Sequence, residues 1–198
     1  MKVSLVIVNI DRSAELLAEP SRFSSQERLA SCAKIKNPLV RAQGYAAELA
    51  LSYALSGDRF DPPVYRREKN GKPVIEDGYV SLSHSGKYSV CTYYPSPVGV
   101  DLEVWRDVRP SLAKRLLSDS EKTGDPDSGF LLRKFVVKEA FLKMTGEGIT
   151  GGFRELTADG GLIYRRGEKA AVYRTVDTDE YFLAVVSPEE FEVETVEL

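Results

Sequence analysis

Two acidic residues lie two positions apart in an apolar segment of this sequence. Between Val98 and Val104, branched apolar residues alternate with Gly99, Asp101 and Glu103. Because side chains along a β-strand point to opposite faces in turn, a strand here places both carboxylates on one face, about 7 Å apart. Like charges that close repel unless a cation lies between them. The pattern indicates two candidate metal ligands, against the alternative of a half-exposed strand with a polar outer face.

A third carboxylate falls on the apolar side of a predicted helix. Leu131, Phe135 and Leu142 recur at the spacing of a core-facing helical stripe, and Glu139 lies on the same stripe. A carboxylate that points toward a core has to be protonated, paired or bound to metal. Lys143 lies one turn further along. The alternative is therefore an ordinary Glu–Lys pair on a solvated helix face, worth about 0.2–0.5 kcal/mol.

Two short segments offer groups that bind phosphate. Residues 81–86, Ser-Leu-Ser-His-Ser-Gly, bring hydroxyls, an imidazole and backbone amides to the end of a predicted strand. Residues 71–73, Gly-Lys-Pro, add a lysine in a turn. Each segment alone has an ordinary explanation, since a lone histidine is more often structural and a turn lysine is commonly just exposed. Together with three acids on two elements, they indicate a site for a pyrophosphate-bearing ligand bridged by a metal ion.

These residues need a scaffold, and the sequence predicts one of α+β type, because its strands and helices cluster instead of alternating. In the first half, the apolar residues 3–10 predict a buried strand, and Asn37-Pro38 predicts the start of a helix that Gly57 closes. The other predicted elements of this half are two short extended pieces around a hairpin-like turn at residues 69–72 and strands over Val80–Leu82 and Tyr88–Tyr94.

The second half opens with an apolar strand, as the first half does. Ser118 and Glu121 have the spacing of a capping box, residues 128–145 predict a long helix, and several short strands follow from Phe153. We therefore expect two similar lobes, residues 1–96 and residues 97–198, each a small antiparallel sheet packed with helices.

Composition narrows the function classes. With 198 residues, 42% hydrophobic and 29% charged, the chain is typical of a globular protein with a substantial core, which excludes a disordered or fibrous one. A net charge of −3 disfavours a nucleic-acid partner and requires any anionic ligand to be held by a local basic cluster. His84 is the only histidine, which excludes three-histidine zinc sites and favours a hard ion such as Mg²⁺ on carboxylates.

The sequence also bears on location. Cys32 and Cys91 are far apart, which favours a reducing compartment over a disulfide framework. The apolar run at residues 3–10 is short for a signal peptide, and no A-x-A-like cleavage site follows it. No segment approaches the roughly 20 apolar residues of a membrane span. We expect a cytoplasmic protein with no membrane partner.

Four motifs, in this order, resemble the 4′-phosphopantetheinyl transferases. They are G-K-P (Gly71 to Pro73), L-S-H-S-G (Leu82 to Gly86), V-G-V-D-L-E (Val98 to Glu103) and F-V-V-K-E-A-F-L-K-M-T-G-E-G (Phe135 to Gly148). Their spacing resembles the pseudodimeric, surfactin-type class more than the short trimeric class. The resemblance runs from about residue 64 to 148, and more faintly over residues 25–55. It implies the pseudo-twofold fold of that family, with coenzyme A phosphate contacts in the N-terminal lobe and the metal site and carrier docking in the C-terminal lobe.

The resemblance implies a transferase that moves the 4′-phosphopantetheine arm of coenzyme A onto a serine of an acyl, peptidyl or polyketide carrier protein and releases 3′,5′-ADP. It implies Mg²⁺ on the ligands Asp101, Glu103 and Glu139. Glu139 is also the candidate base, directly or through water, and Lys143 neutralises charge on the pyrophosphate. The implied coenzyme A contacts are Lys72, Ser83, His84, Lys138 and Lys143, with Arg28 and Arg41 near the family's basic positions for the 3′-phosphate; Lys138 contacts phosphate or carrier.

Some features depart from the family pattern. Phe135 stands where a tryptophan is common, and the loop between Ser118 and Ser128 is short. The basic residues 106, 109, 114 and 115 surround leucines at 112, 116 and 117, a pattern that predicts either a docking surface for an acidic carrier helix or a solvated amphipathic helix.

Two other functions fit part of this pattern. Another Mg²⁺-dependent phosphoryl-transfer or phosphate-ester-hydrolysing enzyme has similar acidic ligands but gives the Gly-Lys-Pro turn no role. A non-catalytic coenzyme A-binding module requires loss of a metal ligand or of Lys143, and all are present. A serine hydrolase is disfavoured because the sequence has no G-x-S-x-G elbow. For the transferase we expect a monomer.

Overall fold

The chain folds into two compact units, as seen in a computed structural model that describes residues 2–68, 71–122, 124–148 and 152–198. One unit comprises the chain up to residue 96 together with residues 191–198, and the other comprises residues 97–190. Each unit packs a sheet against helices, so the predicted α+β class is confirmed. In the described part of the chain, no helix combines the length and the hydropathy needed to cross a bilayer.

The main sheet of the first unit has four strands, β1 (Lys2–Asn9), β4 (Tyr79–Ser85), β5 (Tyr88–Tyr94) and the last strand of the chain, β11 (Glu192–Glu197), in the order β11-β1-β5-β4. The strands β2 (Arg66–Arg67) and β3 (Pro73–Val74) form a separate two-stranded sheet. The helices of this unit are α1 (Ala14–Leu17), α2 (Gln26–Ala33) and α3 (Pro38–Ser56), with 3-10 turns at Pro20–Arg22 and Gly57–Arg59.

Helix α3 forms the helical layer over this sheet, and its ends follow from the sequence. The side chain of Asn37 accepts hydrogen bonds from the backbone N–H groups of Leu39 (3.0 Å) and Val40 (3.3 Å), which satisfies donors that a helix start leaves unpaired. Gly57 ends the helix at a φ of +61°, a value that favours glycine. The predicted cap, first-turn proline and closing glycine are confirmed.

The end of the chain departs from the predicted lobe boundary. Residues 191–198 belong to the first unit and not to a second lobe reaching residue 198, because β11 pairs with β1, Val3 opposite Val193. That pairing is parallel, so this sheet is mixed and not wholly antiparallel as expected. A six-residue strand with only half-buried or exposed side chains gives no sequence signal for its distant partner.

The second unit is an antiparallel sheet of order β6-β10-β9-β8-β7 covered by a long helix. Its strands are β6 (Gly99–Val104), β7 (Leu156–Asp159), β8 (Leu162–Arg165), β9 (Glu168–Asp177) and β10 (Tyr181–Ser187). Its helices are α4 (Ala113–Leu116) and α5 (Ser128–Thr145), with 3-10 turns at Pro110–Leu112, Asp119–Glu121 and Phe153–Glu155.

The two units share one connectivity. In each, a first strand is followed by a long helix and then by a hairpin whose second strand pairs antiparallel with the first strand: β1 with β5 beside β4, and β6 with β10 beside β9. The long helix, α3 or α5, packs on that pair of strands in each unit. This common plan supports the expectation of two similar lobes, although the sequence shows no repeat at the level of single residues.

Candidate functional site

Strand β6 lies directly against helix α5, and Gly99 makes this approach possible. A Cβ atom at Gly99 would lie 1.9 Å from the carbonyl oxygen of Ala140 and 2.7 Å from the backbone nitrogen of Met144. The face of β6 that carries Gly99 and Asp101 therefore lies on the helix and not in solvent, since the two share one side of the strand. Asp101 is 4% exposed, so the half-exposed alternative fails for this residue.

Asp101 and Lys143, predicted from separate motifs, are in direct contact. The Lys143 ammonium donates a hydrogen bond to Asp101 Oδ1 at 2.7 Å, and the two side chains are 27% and 5% exposed. An ion pair this far from solvent is screened less than a surface pair. The structure thus brings a carboxylate of β6 and a cation of α5 into one partly buried cluster.

Glu139 lies in the same environment. It is 8% exposed, and its Oε2 atom is buried and accepts no hydrogen bond from the described residues. Burial raises the pKa of the Glu139 carboxyl; the negative charge of Asp101 raises it further, Lys143 opposes this, and Glu103 adds to it. A bound cation would stabilise the charged form of such a carboxylate, which is buried and lies beside like charges. The alternative of a Glu–Lys pair on a solvated face fails, because Glu139 is buried.

Glu103 is the outer member of this cluster. Its side chain is 20% exposed, and one of its oxygens lies 3.6 Å from the Arg106 guanidinium. In the residues that the structure describes, no group of three or more His, Cys, Asp or Glu side chains is arranged to hold a metal ion. Asp101 contacts Lys143, and the binding of one metal ion by all three carboxylates stays a prediction. The oxygen donors themselves are of the kind that Mg²⁺ prefers, and Glu139 retains a buried oxygen without a donor.

The expected ligand contact of Lys138 is wrong. This lysine is 0% exposed, and its ammonium donates to the carbonyl oxygens of Leu116 (2.8 Å) and Phe153 (3.2 Å) and to Glu121 Oε2 (2.5 Å). Successive residues of a helix point about 100° apart, which turns Lys138 into the interior while its neighbour faces β6. Lys138 is a structural residue.

Glu121 completes that interior network. Its carboxylate also accepts from the backbone N–H groups of Ser118 (3.0 Å) and Ala158 (2.9 Å), so the predicted capping box is confirmed. Burial opposes the charge of Glu121, but these donors and Lys138 outweigh it and hold the pKa of its carboxyl below the usual value. The capping spacing was visible in the sequence, whereas the long-range partner was not.

His84 lies within a strand and not beyond the end of one, as the strand predicted over Val80–Leu82 would have placed it. Strand β4 continues through Ser85, with His84 opposite Ser89 of β5. Ser83 is 8% exposed while His84 is exposed, as expected for neighbours on opposite faces of a strand. Of these two predicted phosphate contacts, only the His84 side chain is open to solvent.

Gln43 supports that segment, although no sequence motif includes it. Its amide Nε2 donates to the carbonyl oxygen of Gly86 at 2.8 Å, and its backbone carbonyl accepts from the Ser89 hydroxyl at 3.1 Å. Gln43 is 7% exposed. The sequence does not distinguish Gln43 from the other polar residues of α3, such as Arg41 and Glu48, because its burial is seen only in the structure.

Lys72 lies in a hairpin turn between β2 and β3. The Glu68 N–H donates to the Lys72 carbonyl oxygen at 3.0 Å, and the Gly71 N–H donates back to the Glu68 carbonyl oxygen at 2.9 Å. Residues 69 and 70 of the predicted turn lie outside the described residues. Burial lowers the pKa of the Lys72 ammonium, opposed by the charge of Glu68. Lys72 is half-buried at the end of a tight turn.

Arg28 and Arg41 are held by different partners. The Nε of Arg28, on α2, donates to the Glu48 carboxylate of α3 at 2.8 Å. Arg41, in the first turns of α3, donates to the carbonyl oxygen of Ile35 at 3.4 Å. Their proposed contact with a 3′-phosphate stays a prediction.

The predicted basic docking surface keeps little of its apolar centre, because Leu112 is half-buried against the core and the other two leucines are buried. Arg109, Lys114 and Arg115 are exposed, but Leu116 and Leu117 are buried in a core cluster with Leu131 and Leu132. Arg106 pairs with Glu103. What remains at the surface is a group of basic side chains.

Comparison with known proteins adds a family context to this cluster. A model of the 4′-phosphopantetheinyl transferase superfamily matches residues 97–186. The chain is 30% identical over 151 residues to 4′-phosphopantetheinyl transferase psf-1 of Bacillus pumilus, a match covering 68% of this chain and 65% of that protein. A 4′-phosphopantetheinyl transferase of Bacillus subtilis is 30% identical over 57% of this chain and 56% of its own length. The 4′-phosphopantetheinyl transferase Sfp of Bacillus subtilis (strain 168) is 28% identical over 43% and 42%. The matches thus span less than two thirds of the length of these relatives.

Proposed function

Because this chain belongs to the 4′-phosphopantetheinyl transferase superfamily, of the surfactin-type class, we propose that it transfers the 4′-phosphopantetheine arm of coenzyme A to a serine of a carrier protein. The acceptor is an acyl, peptidyl or polyketide carrier. The observation that carries the proposal is the buried cluster of Asp101, Glu139 and Lys143, which lies in the part of the chain that the family model matches.

In the proposed reaction, the serine oxygen attacks the phosphorus next to pantetheine, a new P–O bond forms, and the P–O bond to 3′,5′-ADP breaks. Glu139 accepts the serine proton, directly or through water. Its raised pKa suits this role, since a base works best when its pKa lies nearer the working pH. Lys143 lies close enough to Asp101 to place a positive charge at the acidic cluster, where it offsets the charge that develops on the 5′-phosphate of the leaving 3′,5′-ADP.

We propose Asp101, Glu103 and Glu139 as the residues that would hold Mg²⁺. Asp101 pairs with Lys143 and Glu103 with Arg106, while the charges of Asp101 and Glu103 raise the pKa of the buried Glu139 carboxyl. When bound, the metal ion supplies charge neutralisation on the diphosphate oxygens. The fit rests on the oxygen donors and on the unbonded Oε2 of Glu139.

We further propose that Lys72, Ser83, His84, Arg28 and Arg41 of the first unit bind the phosphate groups of coenzyme A. Four of these side chains are basic or ionisable, and His84 is exposed. Ser83 is buried, so its contact would run through the backbone. The exposed basic residues Arg109, Lys114 and Arg115 are proposed to face an acidic carrier.

We also propose that the protein is a monomer that works in the cytoplasm and has no nucleic-acid or membrane partner. Both cysteines are free and buried, which accords with a reducing compartment. Sedimentation of the purified chain tests the monomer: a mass of one chain supports it, and a stable dimer contradicts it.

The direct test is incubation with coenzyme A, Mg²⁺ and a panel of apo carrier proteins, followed by intact-mass measurement of each carrier. We expect at least one carrier to gain a single phosphopantetheine arm. No gain on any carrier by folded protein would contradict the proposal. Release of 3′,5′-ADP without a carrier would point instead to a hydrolase.

A further inference from the structure

A buried carboxylate in the first unit has no role in the chemistry described so far. Glu48 lies on α3 and is 0% exposed. Its Oε1 atom accepts from Arg28 Nε (2.8 Å) and from the Tyr65 hydroxyl (2.5 Å), and the Arg67 guanidinium lies 3.8 Å away. Removing a carboxylate from water costs several kcal/mol, so a residue of this kind persists only with partners such as these.

The partners of Glu48 include or adjoin two of the proposed phosphate contacts. The first is Arg28 of α2, which binds Glu48 directly. On the other side, Arg67 donates to the Tyr65 hydroxyl (3.3 Å) and to the carbonyl oxygen of Gly71 (2.9 Å), and Gly71 precedes Lys72. One carboxylate is thus connected to α2 and to the hairpin turn that carries Lys72.

The cluster retains positive charge despite its carboxylate. Two guanidinium groups face one carboxylate, and their side chains are 21% and 38% exposed while that of Glu48 is not exposed at all. Arg28 and Arg67 are therefore partly accessible from solvent, whereas Glu48 is not. Cations held in a fixed arrangement bind a phosphate with less loss of conformational entropy than mobile ones.

We propose that Glu48 is a positioning residue that fixes Arg28, Arg67 and, through Gly71, Lys72 for the phosphate groups of coenzyme A. The inference rests on the proposed function for the identity of the ligand. The anchoring of the turn by Glu48 and Tyr65 is testable without it.

Two variants separate positioning from simple charge balance. Glu48→Gln removes the charge but keeps an oxygen for Arg28 and Tyr65, and its amide nitrogen can take the place of Oε2, which accepts no hydrogen bond from the described residues. Tyr65→Phe leaves every charge in place and removes only the hydroxyl between Glu48 and Arg67. Glu190→Gln is the matched control, because Glu190 pairs with Arg174 (2.7 Å) through largely exposed side chains.

The first measurement is amide hydrogen exchange at Glu68 and Gly71, whose N–H groups close the turn. We expect exchange about ten-fold faster in Glu48→Gln and in Tyr65→Phe, because local opening then costs less, and no change in Glu190→Gln. Unchanged exchange in both cluster variants overturns the inference, whether or not the protein binds coenzyme A.

The second measurement is steady-state transfer to a carrier. We expect the KM for coenzyme A to rise about ten-fold in both cluster variants, with the KM for the carrier unchanged and kcat reduced less. If the carboxylate served only to offset charge, Glu48→Gln would bind the anionic coenzyme more tightly and Tyr65→Phe would behave like wild type; that result overturns the inference. Absence of any transfer by wild-type protein contradicts the proposed function alone, and the exchange result still decides the anchoring.

Discussion

At the scale of the residue, the molecule places several ionisable groups where burial changes their chemistry. Tyr65 is a clear case, because burial raises the pKa of its hydroxyl to about 12 from 10.0 and the hydrogen bond to Glu48 adds to the shift. The protonated form is the one that the folded state favours. The stability it contributes is present below the ordinary tyrosine pKa and is lost as the pH rises through about 12.

We therefore predict that the folded protein shows a late step of tyrosine titration near pH 12 and that Tyr65→Phe reduces this step. Absorbance at the tyrosinate band during an alkaline titration is the measurement. Tyr79→Phe, at an exposed position, is the control and leaves the late step in place. If the late step is as large in Tyr65→Phe as in the wild type, the result contradicts this description of the cluster.

Lys138 provides a second prediction at this scale. Replacing it with methionine keeps most of the volume but removes the ammonium that donates to Glu121 Oε2, which leaves Lys134, 3.3 Å from Oε1, as the cation beside this buried carboxylate. We expect a loss of at least about 1–3 kcal/mol in the free energy of unfolding, measured in urea. Lys122→Met, which removes a surface pair with Asp119, should cost about 0–1 kcal/mol. Equal losses in the two variants would show that the buried ion pair contributes no more to the free energy of unfolding than the surface pair does.

At the scale of the element, the contact between β6 and α5 decides where the acidic cluster forms. A methyl group at residue 99 would meet the helix backbone, which cannot move aside as a side chain can. We predict that Gly99→Ala lowers the free energy of unfolding by about 1–3 kcal/mol and reduces transfer. Gly129→Ala, whose added Cβ meets only side-chain atoms, is the control and should be neutral or slightly stabilising. A Gly99→Ala protein with unchanged stability would show that the close approach is dispensable.

The elements also show what the sequence can and cannot predict. The cap at Asn37, the helix over residues 128–145 and the capping box of Ser118 and Glu121 depend on neighbours in the chain, and all were predictable. The pairing of β11 with β1 and the ion pair of Lys138 with Glu121 join distant residues, and local patterns carry no signal for them. For the same reason the sequence placed Asp101 and Glu139 among the candidates but not the Asp101–Lys143 contact.

At the scale of the whole molecule, two units of the same connectivity carry different groups. The unit with α5 holds the buried carboxylates, and the unit with α3 holds Glu48 and its arginines. In each case a carboxylate in the second half of the long helix is buried near cations. Those of Glu48 come from other elements, Arg28 and Arg67, whereas Lys143 lies on the same helix as Glu139. The same framework thus supports a proposed metal site in one unit and a proposed positioning cluster in the other.

Metal dependence is a prediction for the whole protein. Chelation with EDTA should stop transfer, and Mg²⁺ should restore it. Because the charge of Asp101 raises the pKa of Glu139, a bound cation relieves repulsion, and the melting temperature should rise with Mg²⁺ concentration. Asp101→Asn should weaken this rise. An equal rise in wild type and variant would place any metal elsewhere.

The most direct measurement is the intact mass of a carrier protein after incubation with coenzyme A, Mg²⁺ and one of three enzymes: wild type, Asp101→Asn or Asp177→Asn. Asp177 is an aspartate of the same unit that pairs with Arg133 at the surface, and it serves as the matched control. We predict a phosphopantetheine adduct with wild type and Asp177→Asn, and a rate reduced by at least about 100-fold with Asp101→Asn. Equal modification by all three enzymes would contradict the assignment of the buried cluster as the catalytic centre.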